Sequence, residues 1–600
     1  MKLPLILSLI ALSIASSGDC PVKCRCNLGK HEVFCDKRGF SKFPDGIPSD
    51  TLRIDLSGNN LTEITPSDVA HLRDLRKLNL ADNHISQIVH GTLESFPKLD
   101  SFDFSGNPYP PSQIASDIVC RLHTTNIHKL IMDRLNLVYE QSLFHCFSRL
   151  GLLRLSLSGN NLGRLPDNAF SGLTTLQSLI LNNAIDRNFN AVALSNLTSL
   201  DSLDLSNNSL RSFPNFNVDG KPVLPSIRRL YLNFNQIRHI TNDVDMGLLG
   251  LHRLIISNNK INALEDNVFM RFSNLLPSDL SHNPINQIKE YAFNHSILNE
   301  LLLSHIAYTF RSGDKTLFHH CPNLTNLQLI HADMYRVFQP NVGNYIFSKL
   351  PKLEVLVLPS ARIRYLPIGV FQKLTMLQKL YLSDNSLHTL QTGIFKGQTR
   401  LEKLYLDYNS FPGFNRSSFP RNLKAIAFGG NPFACTCRLL WIVGWIKLAN
   451  LSIIGSKQNY QCFSPPEVQG VSIYDFPLTE EDCSSTPLNL ALILGLSFAC
   501  FAAIIIVTVS VSYRYRWHLG YLYFSMKARI RQHREIQDDR EYMYDAFLAY
   551  NNQDLPWVRQ HLLPALEEEG GLQLCLHDRN WLPGVDIIDN IVTSIENSRK

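Results

Sequence analysis

One pattern of apolar and polar positions dominates the first three quarters of the chain. From about Leu52 to Asn431 it runs apolar, two spacers, apolar, one spacer, apolar, two spacers, asparagine, returning about every 22 to 29 residues. Clear copies are Leu52–Leu61, Leu75–Ile85, Leu152–Leu162, Leu200–Leu210, Ile227–Ile237, Leu251–Ile261, Leu377–Leu387 and Leu401–Phe411. A strand sends alternate side chains to opposite faces, so Leu377, Leu380 and Leu382 are predicted to point into a core while Lys379 and Tyr381 face outward. Asn385 is predicted to turn inward and satisfy backbone groups that the turn leaves without a sheet partner. It would stack in a ladder with Asn59, Asn83, Asn160, Asn208, Asn235, Asn259 and Asn409.

Coincidental leucines would not keep both the spacing and the asparagine. The pattern therefore predicts an α/β leucine-rich repeat solenoid, a horseshoe of about 16 units over residues 49–430. Regularity is expected to fail at Leu99–Pro111, which ends in NPYPP, and where His305, Ala361 and Ala184 take the place of the asparagine. Ser212–Pro225 and Ala332–Lys349 read as the long parts of stretched repeats. One repeat cannot bury its own apolar face, so both ends need covers. Cysteine clusters mark them, with Cys20, Cys24, Cys26 and Cys35 in residues 18–48 and Cys435, Cys437, Cys462 and Cys483 in residues 431–483. Cys120 and Cys146 are candidates to pair inside an irregular repeat, and Cys321 has no obvious partner.

Two further segments break the period. Lys2, the apolar run Leu3–Ile14 and the small residues Ala15, Ser16 and Ser17 have the build of a secretory signal peptide over residues 1–17. Export makes disulfides the expected state of the clustered cysteines. It also makes glycosylation sites of the sequons at Asn196, Asn207, Asn294, Asn323, Asn415 and Asn450. Leu488–Val511 carries no charge and is long enough to cross the roughly 30 Å hydrocarbon core once, so residues 488–512 are predicted as a transmembrane helix. Arg514, Arg516, Lys527, Arg529 and Arg531 follow in the juxtamembrane segment 513–540, while Glu480, Glu481 and Asp482 precede the span. That asymmetry predicts a single-pass type I orientation with the carboxy-terminal side in the cytoplasm.

Beyond the span the period changes again. Tyr544–Tyr550 reads as a buried strand, Pro556–Glu569 as a helix with Val558, Leu562, Leu563 and Leu566 on its buried stripe and Glu567 to Glu569 at its solvated end. Leu572–Leu576 reads as a second strand, Asp578–Val585 as a loop, and Ile587 begins another helix. Strand, helix, strand, helix opens a doubly wound α/β domain, here incomplete over residues 541–600.

A net charge of +5 is small for 600 residues and argues against nucleic-acid binding by bulk charge, although a solenoid can concentrate charge on one face. His71, His84, His90 and His305 recur near loop positions; as a proton-sensitive set they would need to cluster. The chain has no dinucleotide fingerprint, phosphate-binding glycine loop or His-Glu-x-x-His pattern, so no cofactor, metal ligand or catalytic residue is assigned.

The runs MYDAFLAY (Met543–Tyr550) and LCLHDRNWLPG (Leu574–Gly584) resemble the first two signatures of the Toll and interleukin-1 receptor (TIR) domain. With the repeats, flanks and span, almost the whole chain resembles a Toll-like receptor. The resemblance implies that Arg579, Asn580, Trp581, Leu582, Pro583 and Gly584 contact adaptors or other TIR domains; Asn580 departs from the family, which usually carries an acidic residue there. It also implies a microbial or endogenous ligand on the repeats, a homo- or heterodimer, and placement in the plasma membrane or endosome. The cysteine flanks resemble those of extracellular leucine-rich repeat proteins, which implies the bonds Cys435–Cys462 and Cys437–Cys483; the sequence alone permits three pairings of those four. Because residues 541–600 supply only the start of the family domain, a decoy that binds ligand without signalling is one alternative. A leucine-rich repeat adhesion protein is another.

Overall fold

The computed structural model describes residues 20–599 except 241–246, 271, 340–345, 449–450, 476–478, 480–482, 484–486, 515–517, 519, 524 and 528–540. The expected signal peptide, Asn450 and the flanking charges Glu480, Glu481, Asp482, Arg516, Arg529 and Arg531 lie outside the described residues. The chain divides into two compact units, Met1–Ser484 and Ser485–Lys600.

The first unit is the solenoid. Three-residue strands such as Arg53–Asp55, Lys77–Asn79, Lys379–Tyr381 and Lys403–Tyr405 stack in register into one continuous sheet, parallel throughout the repeats. Each strand buries its middle residue; Ile54, Leu78, Leu380 and Leu404 have almost no exposed surface, while the residues on either side face outward. Every strand pairs with the one before and the one after, so a repeat's apolar face is closed by its neighbours.

The asparagine ladder is present and longer than the pattern indicated. Asn385 Nδ2 donates to the carbonyls of Leu358 (2.9 Å), Leu382 (3.0 Å) and Ser383 (3.1 Å), and its Oδ1 accepts from the N–H groups of Ala361 (3.0 Å) and Ile363 (2.9 Å). Asn107, Asn283 and Asn431 make the same donor set, which restores Leu99–Pro111 to the regular pattern at its strand. The ladder position beside His305 is Ile306, buried at 7% exposure. His305 sits one residue earlier, at φ 55°, in the left-handed turn position that Asp82, Asn207, His282, His331 and Asp384 fill in other repeats. Counting from His305 put the turn one residue off, because both positions are polar in most copies. Ala184 and Ala361 do occupy ladder positions and are buried.

Both covers are disulfide-linked. Cys20 bonds Cys26 and Cys24 bonds Cys35, while Cys435–Cys462 and Cys437–Cys483 close the far end, and Cys120–Cys146 ties an irregular repeat. Trp441 and Trp445 stand 5.6 Å apart on the helix Leu440–Leu448 and pack on Phe419 under the last repeats. Ser212–Pro225 contains a short hairpin, Asn217–Val218 with Lys221–Pro222.

The second unit begins with the helix Pro487–Arg514, in which Leu492–Val511 is long and apolar enough to cross a membrane. Strands Ala546–Leu548 and Leu574–Leu576 then pair in parallel. Tyr544 pairs in parallel with Ser598 on the opposite edge, giving the spatial order second, first, third. That is the order of a doubly wound sheet that switches direction beside its first strand. The intervening helix departs from expectation: Val558–Leu562 and Pro564–Glu568 are wound as a wider π-helix. Pro564 has no N–H and crowds the preceding turn, so the ladder shifts by one residue, and Glu569 N–H reaches the Pro564 carbonyl. Val558 is buried, with Leu562, Leu563 and Leu566 packed around it.

Candidate functional site

The expected contact loop splits into a tied base and a free tip. Its first residues are not loop: His577–Asn580 forms a helical turn directly after the second strand. Arg579 folds back, its guanidinium donating to both carboxylate oxygens of Glu567 (2.8 and 2.7 Å) and to the Leu574 carbonyl (2.5 Å). Planar guanidinium and carboxylate match in such a fork, and the pairing holds the Glu567 carboxyl below its usual range. Glu567 is therefore a structural partner of the loop, not the solvated helix end that the charge run suggested.

Asn580 accepts the Leu576 N–H (3.0 Å) and donates to the Tyr544 hydroxyl (3.3 Å), bonds that tie the turn to the first and second strands. Trp581 Nε1–H donates to Ser594 Oγ (3.1 Å). Asn590 accepts from Leu582 N–H and donates to the carbonyls of Leu582 and Val585, bracketing the segment between them. Leu582, Pro583 and Gly584 are left exposed at the tip, Leu582 at 67%, and Gly584 takes a φ of 89° that other residues avoid. Nearby, burial and a hydrogen bond to Asp578 push the Tyr550 hydroxyl up to about 12, while that bond and Arg559 hold Asp578 low. Sequence reasoning missed Glu567, Asn590 and Ser594. Asn590 and Ser594 stand four apart and so share one face of the helix Ile587–Glu596, which was the available signal; the structure buries both.

In the first unit the expected histidines do not gather. His305 stacks instead between His282 (4.2 Å) and His331 (4.3 Å) in the turn column, and burial together with those two neighbours lowers its pKa. Cys321 is a buried thiol that donates to the Phe293 carbonyl, and burial pushes it up to about 12, which keeps it protonated and unreactive. Among the sequons, Asn196, Asn207 and Asn415 are exposed, while the Asn294 and Asn323 amides donate to Asn267 and to the Ser296 carbonyl. No group of three or more potential metal ligands occurs among the described residues.

Comparison with known proteins joins these two units. Residues 52–108, 147–213, 225–285, 351–411 and 375–426 match the leucine rich repeat family, and residues 543–600 match the TIR domain. Human Toll-like receptor 1 is 31% identical over 183 residues, covering 30% of this chain and 23% of the relative. Toll-like receptor 2 of Canis lupus familiaris is 34% identical over 180 residues, covering 30% and 22%. The matched stretch thus spans less than a quarter of each of these relatives. The mouse RP105/MD-1 complex contains a chain similar in fold, with TM-score 0.57 and 20% identity over 74% of this chain and 77% of that one. By its repeats, its TIR segment and these relatives, the chain is a homologue of the Toll-like receptors.

Proposed function

We propose that the protein is an innate immune receptor, a single-pass type I membrane protein of the plasma membrane or endosome, whose repeats bind a microbial or endogenous ligand. Binding pairs two chains, as homodimer or heterodimer, and the paired TIR segments recruit TIR-domain adaptors. One observation carries this reading: a sheet-lined solenoid, a membrane-length apolar helix and a TIR segment with a braced, exposed Leu582–Gly584 tip occur on one chain. A single helix transmits a bend poorly, whereas pairing raises the effective concentration of the inner segments. The role is that of a binder and relay, with no catalytic residue assigned.

The test replaces residues 541–600 with the complete TIR domain of human Toll-like receptor 1 and forces pairing with an antibody against an amino-terminal tag. Adaptor recruitment should rise on pairing and should fall to background when the Pro583 equivalent is changed to His, at equal surface level. A silent chimaera under forced pairing would sink the relay reading. Recruitment insensitive to that proline would remove the tip from the contact.

A further inference from the structure

The outward face of the sheet is divided lengthwise by charge. At the first outward position of nine consecutive repeat strands stand Arg53, Lys77, Ser101, Lys129, Arg154, Ser178, Ser202, Arg229 and Arg253, six basic residues and three serines. The third position of the same strands holds no basic residue and carries Asp55, Asp103 and Asp204. Those carboxylates have a local task. Each accepts hydrogen bonds from a turn serine, Ser57, Ser105 and Ser206.

Apart from Arg53, which lies over the Phe34 ring at 5.1 Å and pairs with Glu32, and Arg229, which pairs with Asp201, the basic stripe has no comparable task among the described residues. Register places Arg53 beside Lys77, Lys129 beside Arg154 and Arg229 beside Arg253. Like charges directly opposite one another on neighbouring strands destabilise a sheet. Arg53 and Arg229 are offset by Glu32 (3.8 Å) and Asp201. Later repeats put Val355 and Ala425 at the same position, so the solenoid does not require charge there. Around the first pair the surface forms an open cleft of about 690 Å³, to which Lys30, Arg76 and Lys98 add positive charge and Glu32 and Asp100 negative.

We propose that this stripe is a binding site for a linear polyanionic glycan, one bearing sulfate or carboxylate groups. At about 4.8 Å per strand the nine positions extend roughly 40 Å, long enough for several sugar units. Arg76 and Arg228 widen the stripe on one side, while Asp55, Asp103 and Asp204 border the other, which suits a narrow chain and sets a wide duplex's phosphates against carboxylates. Among the outward positions of these nine strands the one aromatic is Tyr231, towards the far end, and Phe34 on the strand before lies under the Arg53 guanidinium, so no row of stacking platforms of the kind that holds single-stranded nucleic acid runs along the stripe. Apolar outward residues, Ile131, Ile180 and Ile255, stand at the third position and not in the stripe itself, where Ser101, Ser178 and Ser202 offer hydroxyl groups between the basic residues. The site deepens the receptor reading by giving the repeats a ligand class, and rests on it only for the consequence of binding.

The test measures binding of the full chain, in detergent, to immobilised heparin, with a single-stranded oligonucleotide and neutral dextran as competitors. Soluble heparin should compete, dextran should not, the oligonucleotide should compete at least tenfold more weakly, and affinity should fall steeply with salt. The pair K129S with R154S should weaken binding about tenfold, while K379S with K403S, a like-charged pair outside the stripe, should leave it unchanged. Melting of K129S/R154S should hold or rise as repulsion is relieved. Equal binding by wild type and K129S/R154S, oligonucleotide competing as well as heparin, or lost binding together with a lowered melting temperature would each overturn the proposal. Because binding is read directly, its failure leaves the chimaera signalling test untouched, and silence in that test leaves this one standing.

Discussion

Leu380 in the repeats has no exposed surface, whereas Ile588, of similar size, is 69% exposed at the start of the helix Ile587–Glu596. The difference lies in how each is covered. Leu380 sits between Leu356 and Leu404 on adjoining strands, contacts supplied by the repeats immediately before and after it. In the TIR segment two strands and one bridge make the sheet among the described residues, and Ile587, Ile588, Val592 and Ile595 are exposed. A solenoid closes its core locally, repeat by repeat; a doubly wound sheet closes its core through strands distant in sequence.

The sharpest way to break this comparison is truncation of the two side chains. Leu380→Ala should cost about 2–5 kcal/mol through lost burial and a cavity, and Ile588→Ala less than about 0.5 kcal/mol. Differential scanning of the full chain in detergent checks both; similar losses would mean that the helix face is covered in solution. Next in size is the far cover. Replacing Cys435 and Cys462 together by serine should cost about 2–5 kcal/mol and expose the last repeats to protease first, near Phe419 and Phe428. Cleavage that begins instead among the first repeats would show that the cover does not protect its own end.

A smaller effect probes the turns. Asn385→Ala strands the N–H groups of Ala361 and Ile363 and should lower stability by about 1–3 kcal/mol, with reduced surface expression and unchanged ligand affinity per folded molecule. Normal melting with lost binding would make Asn385 a ligand contact. Smallest is a pH effect. His295 is buried with Nε2 against the Phe272 carbonyl, and burial lowers its pKa, as it does for His305. The folded state therefore binds fewer protons than the unfolded chain, so the contribution to stability is present above the unfolded value of about 6.5 and is lost as pH falls below it. Melting temperature should drop between pH 7 and 5, and less so in His295→Gln; equal drops would place the effect elsewhere.

The chain's periodicity was enough to define the solenoid, its inward leucines, most of its asparagine ladder, the apolar span and the opening of the doubly wound domain. These are local or strictly repeating features, and spacing records them directly. Asn107 and Asn283 were passed over because the leucine pattern around them is degraded, Phe102, Phe104 and Ser278 replacing the usual aliphatics; the backbone around them is nonetheless regular. What only the tertiary structure decided is which residues meet across the period. The stack of His282, His305 and His331, the like-charged register of Lys129 with Arg154, and the hold of Glu567 on Arg579 join residues 12 to 26 positions apart. No short motif encodes such contacts, because they depend on the length of each turn and on the winding of the helix at Pro564, which set the register between neighbouring elements.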